Sequence, residues 1–250
     1  MRLPEPRAAR VRLDSPNGAG EFAYLDFGPP ARPVDAVFTH ANGFNARSYR
    51  TILQPLAQAF RLLAIDLRGH GRTRAPTPTE ARKTWLDLGD DLIALLDVLD
   101  IGPVALGGHS MGGTLSLFAA AERPQRVRAL ALFDPVIRLA TTPIPPRAME
   151  SPTIAGALRR RRSFPNRAAA IESYRGRGAF TNWSEAMLAD YVEDGFRDLA
   201  DGTVELACAP EWEVSNYVSQ AHDPWVALDA SRCPIRIWRA EQASTCQLDD

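Results

Sequence analysis

Residues 104–114 read VALGGHSMGGT. A short apolar run ends in Gly107 and Gly108, Ser110 stands in the middle, and Gly112 and Gly113 open a stretch of helical character. This G-x-S-x-G pattern, with a strand before it and a helix after it, predicts a sharp turn that lifts the serine Oγ clear of the backbone. Glycines are needed two residues before and after the serine, because a Cβ at either place collides with the neighbouring strand or helix. The amide that follows, that of Met111, then lies at a helix N-terminus, where the positive end of the helix dipole stabilises developing negative charge.

Outward from this turn, strands and helices alternate. Upstream, residues 10–13 and 21–27 read as a hairpin around Ser15-Pro16-Asn17-Gly18, and 34–39 (VDAVFT) as a strand that ends in HANGF, residues 40–44. Tyr49, Ile52, Leu53, Leu56 and Phe60 recur at helical steps, with Pro55 as a kink. A strand at 62–66 runs into LRGHGRT, and Trp85, Leu88, Leu92, Leu95, Leu96 and Leu99 form one apolar helical face. Downstream, Leu115, Leu117 and Phe118 belong to a close-packed helix ending near Pro124, and 127–133 (VRALALF) is a buried strand leading into Asp134. Strands separated by helices imply a mostly parallel twisted sheet with helices on both faces, its working groups at the carboxyl ends of the strands. Ser110, the HANGF loop and Asp134 all fall on that edge.

From about Ile137 the alternation stops. A run rich in Pro and Thr at 141–152 leads into helical segments near 154–162, 168–174 and 184–199, the last with the apolar stripe Met187, Leu188, Tyr191, Val192, Phe196 and Leu199. Residues 203–208 alternate as a short strand, 224–230 read as a helix returning to the core, and 234–238 (PIRIW) as the next buried strand. The expected organisation is therefore a core at 1–140, an inserted helical cap at 141–222, and a return to the core at 223–250.

With its turn and alternation, the chain resembles the α/β-hydrolase family from about Phe38 to Trp238. Asp66 to Thr73 is similar to that family's D-x-R-G-H-G-x-S/T loop, a mark of the fold in which His70 has no catalytic part. The resemblance implies a serine hydrolase acting on a small carboxylic ester or related acyl compound, with Ser110 as nucleophile and no metal or organic cofactor. It places the oxyanion donors on the backbone amides of Met111 and Phe44, with Gly43 allowing close approach. His40 is a structural loop histidine. For the acid, Asp134 is favoured; Glu241 is close to the position most members use, and a third reading has Asp134 merely capping its loop. The family's base is a histidine after a final strand, yet no histidine follows His222, and His109 should diverge from the serine beside it. The expectation is that the last strand and that histidine lie beyond Asp250. The alternative function is a hydrolase-like protein that binds a small ligand without turnover.

Composition narrows the classes. A formal net charge of −1 gives no electrostatic case for nucleic acid or an anionic membrane. Cys208, Cys233 and Cys246 have neither disulfide-framework nor zinc spacing, and no apolar run is long enough to be a secretion signal or a membrane span. A cytoplasmic setting is the default expectation. The run Arg159-Arg160-Arg161-Arg162 is read as a solvated helix face, with binding of an acidic group as its alternative.

Overall fold

The computed structural model describes residues 4–138 and 151–248. Its centre is a seven-stranded sheet. β1 (Arg7–Ser15) and β2 (Gly18–Phe27) form the hairpin. They are longer than the sequence patterns suggest, because pairing continues to Ser15↔Gly18, where Gly18 takes φ +98° and closes the turn. β2 pairs antiparallel with β4 (Leu62–Ile65), and β4, β3 (Ala36–Thr39), β5 (Val104–His109), β6 (Val127–Phe133) and the final strand Ile235–Trp238 continue in parallel. Every residue of β4 is buried, so a continuous apolar run stands where alternation would mark a strand with one wet face.

The helix expected over residues 49–60 is mostly not α-helical. α1 (Arg50–Leu53) is a single turn between 3-10 turns at Ala46–Tyr49 and Gln54–Gln58. Pro55 has no amide to donate, and its ring opposes the carbonyl four residues back, so the α-pattern cannot pass it. Ile52, Leu56 and Phe60 are accordingly left exposed, whereas Tyr49 and Leu53 are buried. α2 (Leu86–Val98) presents Leu88, Leu92, Leu95 and Leu96 to the core, where they meet Leu115, Leu117 and Phe118 of α3 (Met111–Glu122). Ten consecutive residues of α3, Met111 to Ala120, are buried, which is why its sequence carries small residues rather than a polar face.

The inserted region contains α4 (Pro152–Leu158), β7 (Ser163–Phe164), α5 (Arg167–Tyr174), α6 (Glu185–Gly195), β8 (Phe196–Asp198) and β9 (Val204–Leu206). Most of the Pro/Thr-rich run at 141–152 lies outside the described residues. The apolar stripe of α6 stops at Gly195: Phe196 points inward from a strand, and Leu199 is exposed. Phe164, Phe180, Leu188, Tyr191, Val192, Phe196, Val204 and Leu206 form a small core of their own. Ion pairs fasten this unit to the sheet, Arg50 Nε to Asp190 at 2.8 Å, Arg47 Nε to Asp194 at 2.9 Å and Arg72 Nε to Asp194 at 2.6 Å.

α7 (Pro210–Val218) was not legible as a helix, and it buries Trp212 in the main core, with the indole N–H donating to Arg68 O at 2.8 Å. α8 (Pro224–Ala230) then packs on α3, and β10 (Ile235–Trp238) completes the sheet beside β6. No described helix is long and apolar enough to cross a membrane.

Candidate active site

The junction of β5 and α3 holds Ser110 at φ 51°, ψ −121°, a conformation that a non-glycine residue adopts only where the surroundings impose it. Ser110 N–H donates to Phe133 O at 2.9 Å, and Ser110 O accepts from Thr114 N at 3.2 Å, so both sides of the turn are pinned. Close packing supplies the constraint. A Cβ on Gly108 would lie 2.5 Å from Gly112 C, and one on Gly112 would lie 2.4 Å from Thr39 O. Thr39 Oγ1 also donates to Gly112 O at 2.8 Å, which draws the start of α3 against the end of β3. The amide of Met111 opens α3 and has no intrahelical acceptor, as for any first-turn N–H.

Ser110 lines a cavity of about 610 Å³ together with Asn42, Phe44, His109, Asp134 and residues between Pro152 and Tyr217. The Phe44 amide expected to face it is committed elsewhere: it donates to Ala41 O at 3.1 Å in a tight turn with Gly43 at φ +76°. Phe44 instead contributes its ring, 5.0 Å from that of Trp183. In the same loop Ala41 N donates to Tyr49 Oη at 3.1 Å and Gly43 N to His70 Nε2 at 3.1 Å. Asn42 N–H alone among these four amides has no acceptor among the described residues. Matching the motif by residue position could not show this, because the turn decides which amide is spent.

Asp134 follows β6 at φ 45°. Its Oδ1 accepts from Ala240 N at 3.0 Å and from the Ser244 hydroxyl, and its Oδ2 accepts from Thr245 N at 3.1 Å and Thr245 Oγ1 at 3.2 Å. Burial alone would raise its pKa, but these donors outweigh it and hold the carboxyl below the ordinary value, so Asp134 is ionised. It thus caps the 240–245 loop and also reaches the cavity. Glu241 is exposed on that loop and is not among the cavity's lining residues.

The four histidines are each occupied. His40 Nδ1 lies 2.7 Å from Ala41 O while its Nε2 accepts from Leu67 N at 3.0 Å; His70 Nδ1 lies 2.9 Å from Arg68 O while its Nε2 accepts from Gly43 N. Burial lowers the pKa of His40 to about 4 and that of His70 well below the ordinary value. Both are neutral struts with no spare nitrogen. His222 accepts from Trp85 N at 3.3 Å and packs against the Trp85 and Phe118 rings, away from the cavity. His109 does line it, with Nδ1 2.8 Å from Tyr49 Oη. That phenol oxygen also accepts from Ala41 N, so the ring is tied to the same loop. Burial lowers the pKa of His109, which favours the neutral ring, and its Nδ1 is taken up by the Tyr49 contact. No described side chain bonds Ser110 Oγ.

Beneath the loops lies Asp66, 2% exposed, accepting from Ala46 N and Arg72 N at 2.8 Å each. Burial and the nearby Asp194 carboxylate raise its pKa to about 7 against those amides and the Arg72 charge. The folded protein therefore holds this proton more tightly than the unfolded chain, whose value is 3.8. The associated stability is full below the unfolded value and is lost as the pH rises through the folded one. Between pH 5 and 8 the wild type is expected to lose on the order of 2 kcal/mol relative to Asp66→Asn. Urea midpoints of both proteins at both pH values check this, and parallel changes would count against it.

A profile of the alpha/beta hydrolase fold matches residues 37–197. Lipase LipV of Mycobacterium tuberculosis is 35% identical over 112 residues, 44% of this chain and 40% of that protein. A putative non-heme haloperoxidase of Mycobacterium phage D29 is 38% identical over 99 residues, 39% of this chain and 34% of that protein. The matched stretch thus spans well under half the length of these curated relatives. The crystal structure of E-2-(acetamidomethylene)succinate hydrolase superposes with a TM-score of 0.72 at 22% identity, covering 93% of this chain and 81% of that one. At that identity the likeness speaks for the fold alone. The profile spans more than half of the sequence and takes in the loop at residues 40–44, the Ser110 turn and Asp134, and on that ground the chain belongs to the α/β-hydrolase fold family.

Proposed function

We propose that this chain carries the nucleophile of a serine hydrolase that cleaves a carboxylic ester or related acyl compound. The observation that carries the reading is the strained Ser110 turn, clamped by Gly108 and Gly112 and open to a cavity under the cap. Ser110 Oγ attacks the acyl carbon, its proton passes to a base, and the carbonyl oxygen takes up negative charge between the amides of Met111 and Asn42. Collapse of that adduct expels the alcohol and leaves an acyl-enzyme, which water then hydrolyses. Asp134, ionised and on the same cavity, is the acid suited to orient the base. His40, His70 and His222 are held in other contacts, and His109, on the cavity wall, makes no described bond to Ser110 Oγ.

The last point defines the test. A general base contributes about 10²–10⁴-fold to such a step. The 250-residue chain is expected to react with a fluorophosphonate slowly, at Ser110 as mapped by peptide mass, and to react faster when imidazole is added. Rapid labelling without imidazole would mean that one of the four histidines is free after all. No adduct at Ser110 even with imidazole would put ligand binding without turnover in first place, a reading favoured by the commitment of every histidine.

A further inference from the structure

The four consecutive arginines at 159–162 do not share one environment. Arg159, Arg161 and Arg162 are exposed, as a solvated face requires, but Arg160 turns inward, with 14% of its side chain exposed, and lines the cavity that holds Ser110. Its Nη1 donates to Glu213 Oε2 at 2.6 Å, and its Nη2 donates to the Tyr191 hydroxyl and, at 3.5 Å, to that of Tyr174. A guanidinium has five N–H groups, so these bonds leave donors over. Arg177, on the loop after α5, lines the same cavity and makes no ion pair among the described residues. Among the described lining residues the two guanidinium groups thus differ, Arg160 being paired with Glu213 and Arg177 unpaired, while the other lining carboxylate, Asp134, is engaged by the 240–245 loop.

Stability does not explain this arrangement. A buried ion pair is commonly no more stabilising than apolar side chains of the same volume, and the neighbours here, Tyr174, Phe180, Ala157 and Tyr217, would suit such a replacement. What the pair adds is a polar group of fixed position in the cavity that Ser110 also lines. Glu213 also presses on the oxyanion-side loop: its Oε1 lies 2.7 Å from where a Gly43 Cβ would stand, and its carbonyl accepts from Asn42 Nδ2 at 2.9 Å. Arg160 is therefore held in register with the Asn42 amide through one intermediate residue.

We infer that the acyl compound bound here carries a carboxylate at the end remote from the scissile carbonyl, held on the cap side by Arg160 and Arg177. The unpaired Arg177 and the donors that Arg160 has left over are the groups that would receive it. The inference rests on the reading of Ser110 as an acyl-accepting nucleophile, but its test does not need turnover.

Titration calorimetry of the Ser110→Ala chain with monomethyl glutarate and with dimethyl glutarate compares two methyl esters of one chain length that differ in the remote charge. The half-ester is expected to bind at least about tenfold more tightly, as a charge-assisted contact gives. The preference should shrink in Arg177→Gln and vanish in Arg160→Gln. Arg177 is exposed, so its variant remains informative if Arg160→Gln fails to fold. Equal binding of the two esters, binding of neither, or a preference untouched in Arg177→Gln and in a folded Arg160→Gln would overturn the assignment. Fluorophosphonate reaction reads the nucleophile and this titration reads the anion site, so failure of one is distinguishable from failure of the other.

Discussion

Gly112→Ala is expected to cost about 3 kcal/mol of stability, the upper end for overpacking a rigid site, and to reduce the rate of fluorophosphonate labelling at Ser110 by about a hundredfold. The added methyl would stand 2.4 Å from Thr39 O and 2.6 Å from both Thr39 C and His40 O, all of them backbone atoms of the central sheet and its loop. No rotamer change relieves such a clash. The start of α3 must move off β3 by roughly an ångström, and the Met111 amide moves with it. A misplacement of that size at a reacting centre costs about 10²-fold. Gly89→Ala is the control. A Cβ there meets only the Phe118 side chain, Cβ at 3.5 Å and Cδ2 at 3.9 Å, ordinary contacts in the first turn of α2, so this variant should gain about 0.4–1 kcal/mol. Denaturant midpoints and labelling rates of the two variants check the pair. If Gly112→Ala labels at the wild-type rate, the elbow geometry does not govern Ser110.

How much of this was legible beforehand depends on whether a feature is set locally. The Ser110 turn was, because strand, glycine spacing and helix follow one another within eleven residues, and the parallel sheet came with it. The interrupted helix at 46–58 was half legible: Pro55 announced a break, but not that Ile52 and Leu56 would be left exposed. Features set by distant partners were not legible. Tyr49 reaches His109 Nδ1 from sixty residues away, and α7 lacks an apolar stripe because polar residues share its anchoring, Trp212 donating to the carbonyl of Arg68 and Asn216 to the side chain of Asn42. The Phe44 amide was misassigned because motif spacing identifies a loop and not which of its amides a turn consumes. Arg160 could not be singled out among four arginines, since α4 ends at Leu158 and the side facing the cavity depends on where Glu213 and Tyr191 stand.

Asp91→Ala is expected to destabilise the chain by about 3–5 kcal/mol, the range for stranding one member of a buried ion pair. Arg68 and Asp91 expose 1% and 4% of their side chains and meet in two bonds, Nε to Oδ2 at 2.6 Å and Nη2 to Oδ1 at 2.8 Å. The remaining Arg68 donors reach Ser15 Oγ at 3.0 Å, Gly18 O at 3.1 Å and Pro76 O at 2.9 Å, and Ser15 Oγ in turn donates to Asp91 Oδ1 at 2.6 Å. One guanidinium thus joins the β1–β2 turn, the loop after β4 and helix α2, beside the bonds Asn17 Nδ2 to Asp87 O at 2.6 Å and Arg74 N to Glu21 O at 2.8 Å. Removing the carboxylate leaves a cation without its counter-charge in an apolar setting, its guanidinium 5.3 Å from the Phe22 ring centroid. Against a total stability of about 5–15 kcal/mol the loss is large enough to show as partial unfolding in mild denaturant. The double variant Arg68→Met with Asp91→Leu separates charge from packing. If the penalty is the stranded charge, the double variant should recover most of what Asp91→Ala loses, whereas a double variant as unstable as the single one would show that the hydrogen bonds to Ser15, Gly18 and Pro76, and not the ion pair, hold the hairpin to the sheet's loops.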